Sequence, residues 1–292
     1  MEKQEAYSEL VNSNRNHIDP NDMATDEDAV ERKKILNLIF ANDYKGLKDM
    51  KIVSKNLNWL EKHSKTDLDD KITPLAQASF LGRGRITELL LENPLIDINM
   101  TTEDHEYTPL SASCIAGNFE IVKILSENGA DTNHMNSMGY TPLLYCFSRM
   151  TETSNVYENK NICLKIAEIL LHFGADINYY HHGKTLLMSF CGMSMILEQV
   201  QLEMNLEVIR FLIENGADKT LKSKTNGMTA YELSNNHCAS QQVKDLLNSA
   251  KQVHFHQRAK NGKGHREAGT IILDDTKVKV GCCSMFYFCR GN

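Results

Sequence analysis

TPLSASCIAGNFEIVKILSENGADTN, residues 108–133, is the stretch whose reading decides the fold. It opens on Thr108-Pro109. A threonine hydroxyl can accept an orphan backbone N–H at a helix start, and proline next to it has no N–H to leave unpaired and a preset φ. Two apolar stretches follow, broken at Gly117, and the second contains Ile121, Val122, Ile124 and Leu125 at helical spacing. Gly129 can take the left-handed conformation that closes a helix, and Asp131 and Asn133 favour a turn. The segment therefore predicts a helix, a tight corner, a second helix and a loop.

The same punctuation recurs. Thr73-Pro74-Leu75, Thr108-Pro109-Leu110 and Thr141-Pro142-Leu143 are spaced by 35 and 33 residues. Asn128-Gly129-Ala130-Asp131, Phe173-Gly174-Ala175-Asp176 and Asn215-Gly216-Ala217-Asp218 each close an apolar run. A helix–helix–turn unit of this period, with these two marks, resembles the ankyrin repeat over roughly residues 31–250. The resemblance implies an all-α solenoid of stacked helix pairs joined by hairpin loops, with a small irregular C-terminal tail. It also implies a non-catalytic module that binds another protein.

Other copies depart from the pattern. Pro94 stands where the first repeat would carry its closing glycine, and Thr185-Leu186-Leu187 lacks the proline. Thr229-Ala230-Tyr231-Glu232 reads as a capping box in a terminal repeat. The family's histidine after Thr-Pro-Leu is replaced by Ala76, Ser111, Leu144 and Met188. Ahead of the first repeat, Ile35, Leu36, Ile39, Leu47, Ile52 and Leu57 read as an N-terminal capping repeat, which a solenoid needs to cover its apolar end.

Three units follow from this: an acidic, unstructured arm over 1–29, the array over 30–250, and a tail over 251–292. The first 30 residues hold eight acidic and two basic side chains. Two repeats are longer than the rest. From capping threonine to closing glycine there are 21 residues in the second repeat, but 33 from Thr141 to Gly174 and 31 from Thr185 to Gly216. The additions, near 150–161 and 194–205, fall between the two helices of a pair and are expected to lie side by side.

The net charge of −6 argues against nucleic acid as a partner. Isolated cysteines in apolar helical patterns suit a reducing cytosol, including a host's cytosol if the chain is a secreted effector. No cofactor is implied. Gly183-Lys184-Thr185 has the tail of a phosphate-binding loop, but Asn178 stands where its first glycine is required, so a hairpin and a helix cap are expected there. His105-Glu106 lacks the second histidine of a zinc-protease helix.

The tail is basic, with a strand pair read from Thr270–Leu273 and Val278–Val280. Its alternative readings are a membrane tether acylated at Cys282, Cys283 and Cys289, or a small metal-binding module using His254, His256 and His265, delivered by the repeats. Membrane contact is expected only if the tail is acylated.

The ankyrin resemblance places the partner-binding face on hairpin tips and first-helix ends. The residues implied are Phe80, Leu81, Ile115, Arg149 and Met193 on helix ends, with Met135, Met138, Tyr140, Tyr179, Tyr180, His181 and His182 at the tips. Large, amphipathic side chains of these types are enriched at interface centres.

Overall fold

The computed structural model describes residues 26–62, 70–148, 156–192, 199–236 and 241–248. Residues 1–25 of the acidic arm, Arg149, Met193, the inner parts of both insertions, and the tail with Cys282, Cys283 and Cys289 lie outside the described residues.

The chain begins with α1 (Asp26–Phe40) and α2 (Tyr44–Asp49), then a single 3-10 turn at Ile52–Ser54. Helix α1 starts at Asp26, four residues ahead of the expected array boundary. Glu27 and Asp28 in its first turn suit the positive end of the helix dipole. Five helix pairs follow: α3 (Pro74–Phe80) with α4 (Gly84–Leu91), α5 (Pro109–Ala116) with α6 (Phe119–Glu127), and α7 (Pro142–Ser148) with α8 (Val156–His172). The last two are α9 (Leu186–Gly192) with α10 (Gln199–Glu214), and α11 (Ala230–Asn236) with α12 (Gln241–Asn248). First helices pack on first helices (α1 on α3, α3 on α5, α5 on α7, α9 on α11), and second helices stack likewise from α4 to α12. The rings of Phe147 and Phe190 join α7 to α9 edge to face at 5.6 Å.

Each threonine caps its first helix. The hydroxyls of Thr73 and Thr108 accept from the N–H of Ala76 and Ser111 at 3.0 and 3.1 Å. Thr229 and Glu232 form the reciprocal box: the Glu232 carboxylate accepts from the Thr229 N–H at 2.8 Å, and the Thr229 hydroxyl accepts from the Glu232 N–H at 3.2 Å. Gly129, Gly174 and Gly216 have φ of 88°, 94° and 92°. The alanine after each donates to the carbonyl five residues back (Leu125, Leu170, Leu212), which is the Schellman closure. Where Pro94 replaces the glycine, Asn93 takes over. Its side chain is 1% exposed, donates to the carbonyls of Ile52 and Lys55 at 3.1 and 2.7 Å, and accepts from the Leu95 N–H at 2.9 Å.

Beyond the closure, one arrangement repeats at every seam. Asp97, Asp131, Asp176 and Asp218 each accept with their side chain from the N–H two residues on, at Asn99, Asn133, Asn178 and Thr220. The side-chain oxygen of each asparagine then accepts from the aspartate N–H of the next repeat: Asn99 from Asp131, Asn133 from Asp176, and Asn178 from Asp218, at 2.8–2.9 Å. Asn58 starts the series by accepting from Asp97. These rungs run along the root of every inter-repeat connection.

The two insertions lengthen second helices. Helices α8 and α10 have 17 and 16 residues, against eight and nine in α4 and α6. They pack side by side, and Lys160 on α8 is ion-paired with Glu207 on α10. Lys160 is 7% exposed, so its aliphatic stem lies inside the seam.

Candidate partner-binding surface

From each root the chain runs out to a finger and returns to the next capping threonine. The first finger pairs β1 (Glu61–Lys62) with β2 (Lys71–Ile72) in antiparallel register. The second is closed by the Thr102 N–H on the Tyr107 carbonyl at 3.0 Å, and the third by Asn136 on Tyr140 at 3.2 Å. Reciprocal bonds between His181 and Lys184 close the fourth, and Ser223 on Met228 closes the fifth. Fingers bond edgewise to their neighbours: the Glu103 N–H donates to the Lys71 carbonyl at 3.2 Å, and the Lys224 N–H to the Gly183 carbonyl at 2.8 Å. Gly183 has φ of 76°, and a Cβ there would meet the Thr225 methyl at 2.8 Å. Close approach of the fourth and fifth fingers thus requires glycine. Gly183-Lys184-Thr185 is a hairpin turn and a cap, since the Thr185 hydroxyl accepts from the Met188 N–H at 3.4 Å.

Aromatic rings bridge the fingers. His105 stacks on Tyr107 at 5.2 Å, Tyr107 meets Tyr145 edge-on at 5.3 Å, Tyr145 stacks on Tyr140 at 5.1 Å, and Tyr140 lies 4.4 Å from His181. His181 and His182 are 4.0 Å apart. Asn136 ties three of these together: its amide donates to the Tyr145 hydroxyl and the His105 carbonyl, and its oxygen accepts from the Tyr140 N–H. Burial holds the Tyr145 and Tyr107 hydroxyls protonated well above the usual tyrosine range. Burial, and then the charge of neighbouring His182, push the His181 ring below the usual histidine value, against a bond to the Met138 carbonyl.

Buried Asp70 anchors the second finger, accepting from the N–H groups of Asp104 and His105 and from the His105 ring. Desolvation works to raise its pKa, and the hydrogen bonds, led by that from Thr102, outweigh it and hold it below the usual carboxylate value. Glu106, at φ 52°, accepts from the Ser137 N–H of the third finger. His105 and Glu106 therefore serve the seam. Among the described residues, no group of side chains has the makeup of a metal site, and no helix is long and apolar enough to cross a membrane.

The residues implied for the binding face divide into three groups. Met135 and Met138 stand out on the third finger at 52% and 46% exposure, and His182 is exposed beside them. Phe80, Leu81, Tyr140, Tyr179, Tyr180 and His181 are half-buried. The Tyr179 hydroxyl donates to the Met135 sulfur, and the Tyr180 hydroxyl to the Lys222 carbonyl at 3.0 Å. Ile115 is 7% exposed and belongs to the core. Sequence reasoning passed over Lys222 and Lys224, both exposed on the fifth finger. The run Lys219-Thr220-Leu221-Lys222-Ser223-Lys224, without a carboxylate, was the signal for them.

A family model described as ankyrin repeats, three copies, matches residues 29–136 and 75–181, together more than half of the chain. The chain is 28% identical over 132 residues to an ankyrin repeat protein of Acanthamoeba polyphaga mimivirus, a match covering 44% of the chain and 23% of that protein. It is 29% identical over 147 residues to the ankyrin repeat and SAM domain-containing protein 6 of Rattus norvegicus, covering 48% and 14%. Against an ankyrin repeat protein of Borreliella burgdorferi the identity is 28% over 135 residues, covering 45% and 55%. Each match spans less than two thirds of the relative's own length.

Proposed function

Because this chain belongs to the ankyrin-repeat family, whose repeats are in general protein-interaction modules, we propose that it is a non-catalytic scaffold or adaptor that holds a partner protein along its fingers and first-helix ends. The observation that carries this reading is the pair Met135 and Met138, half-exposed on a finger of a folded array, with Tyr179 of the next finger bonded to Met135. Large apolar groups held out at a tip gain nothing for the core, and they offer a partner adaptable contact area. We place the protein in a cytosol. Cys114, Cys146, Cys163 and Cys191 are free and buried, which suits that compartment.

The test is affinity capture with the full chain, repeated with M135S/M138S. Recovery of the principal partner should fall about tenfold, while the melting transition stays in place. A partner recovered equally well by the variant would move the interface off the fingers.

A further inference from the structure

The fingers differ in charge in an ordered way. The second, residues 101–107, carries Glu103, Asp104 and Glu106 and no lysine or arginine. The third, 133–141, carries no lysine, arginine or carboxylate and presents Met135 and Met138. The fourth and fifth, 179–184 and 219–229, carry Lys184, Lys219, Lys222 and Lys224 and no carboxylate. From the second finger to the fifth the array thus reads acidic, then apolar, then basic, within a protein whose net charge is −6.

The basic end is built into the fold. The Lys224 ammonium lies 4.4 Å from the centre of the Tyr180 ring, and that ring is fixed through its hydroxyl to the Lys222 carbonyl. The neighbouring carboxylates are engaged: Asp218 accepts from the N–H and hydroxyl of Thr220, and Glu232 is bound into its capping box. Glu232 lies close enough to Lys222 to feel its charge, while Lys224 is exposed and set against the Tyr180 ring. At the other end, Glu103 pairs with Lys71 and Asp104 is exposed.

Resting on the scaffold reading, we propose that these fingers bind an extended peptide segment of a partner protein in one orientation. Its acidic end lies over Lys222 and Lys224, and its apolar side chains rest on Met135 and Met138. A strand of nucleic acid, charged along its whole length, would have to run its phosphates past Asp104 and Glu103 and over a neutral methionine patch. A peptide acidic at one end only sets its carboxylates over Lys222 and Lys224 and its apolar side chains over Met135 and Met138, and its non-acidic end keeps negative charge away from Glu103 and Asp104. Stacked helix pairs are about 10 Å apart, so three finger spacings take about nine extended residues at roughly 3.3 Å each. Main-chain groups of such a segment are within the usual mode of recognition by exposed loops and strands.

The experiment selects a phage-displayed library of random 12-residue peptides on the full chain, and then measures a selected peptide against K222E/K224E. Both lysines are exposed, and K222Q/K224Q, which sets no new carboxylate beside Glu232, is the uncharged intermediate that should melt as the parent does. Selected peptides should carry Asp or Glu toward one end and Leu, Phe or Met toward the middle. Charge reversal should weaken their binding by about tenfold or more and strengthen binding of the lysine-substituted counterpart, with a marked salt dependence. Peptides selected without an acidic end, or binding K222E/K224E unchanged, would overturn the proposal while leaving the scaffold reading in place. Selection of no peptide would overturn it as well, and failure of the methionine variant to lose its captured partner separately tests the scaffold. A fluorescent single-stranded oligonucleotide that binds the parent and not K222E/K224E would assign the basic fingers to nucleic acid instead.

Discussion

Every inter-repeat connection has a root and a tip, and the two obey different rules. At the roots, Asp97, Asp131, Asp176 and Asp218 make the same turn and donate the same N–H bond to the repeat before. From the second finger to the fifth the tips vary: a carboxylate cluster, a methionine pair, two histidines with a lysine, a run of lysines. Repetition marks the residues that set the stacking of one repeat on the next. Variation marks residues free of that duty and available to a partner.

Substitutions test this division, beginning where the largest loss is expected. Asn93→Ala removes the buried side chain that closes the first repeat, with its bonds to the Ile52 and Lys55 carbonyls and from the Leu95 N–H, so chemical unfolding should show a loss of about 2–3 kcal/mol. Asn133→Ala removes one rung, exposed and more easily replaced by water, and should cost about 1 kcal/mol. M135S/M138S should change stability by no more than about 0.5 kcal/mol in the same assay. A loss there as large as that of Asn133→Ala would mean that the tips also hold the stack together.

The smallest effect is a pH dependence. The folded state depresses the pKa of His181, so below the usual histidine value of about 6.5 the unfolded chain binds the proton more readily. The contribution is full above that value and is lost as pH falls toward the folded pKa. The melting temperature should be lower at pH 5.5 than at pH 7.5, and His181→Phe should reduce the difference. An unchanged difference would place the titration on another group.

Much of the fold was legible because its determinants are local. Thr108 with Ser111, Thr229 with Glu232, and Gly129 with Ala130 act within a few residues of one another. The rungs were not read, since each joins residues 32 to 43 apart. Yet the signal was present in the recurring Asp97-Ile98-Asn99, Asp131-Thr132-Asn133 and Asp176-Ile177-Asn178. Ile115 was placed on the surface by its position near the end of a first helix. In this array α5 is covered by α3, α7 and α6, and the side chain joins the core. Its truncation to alanine is accordingly a packing loss of about 2–5 kcal/mol, unsuited to mapping a partner. That α8 and α10 pack side by side follows from stacking alone. The apolar run at the second insertion reads as helix-like from sequence and α10 begins within it at Gln199, whereas the pairing of Lys160 with Glu207 depended on a surface that only the neighbouring repeat supplies.

The rungs also have a polarity. Each asparagine offers an acceptor forward and each aspartate offers a donor backward, so the seam is of the head-to-tail kind, which in assemblies does not close on itself and propagates for as long as units can be added. A stack ending in another Asp-x-Asn would present a fresh acceptor to the first repeat of a second molecule. Here the series stops on Thr220, whose hydroxyl turns back to donate to Asp218 at 2.6 Å. The shorter threonine keeps its oxygen at its own turn, so the asparagine acceptor that carries the seam forward is not repeated at the last described root.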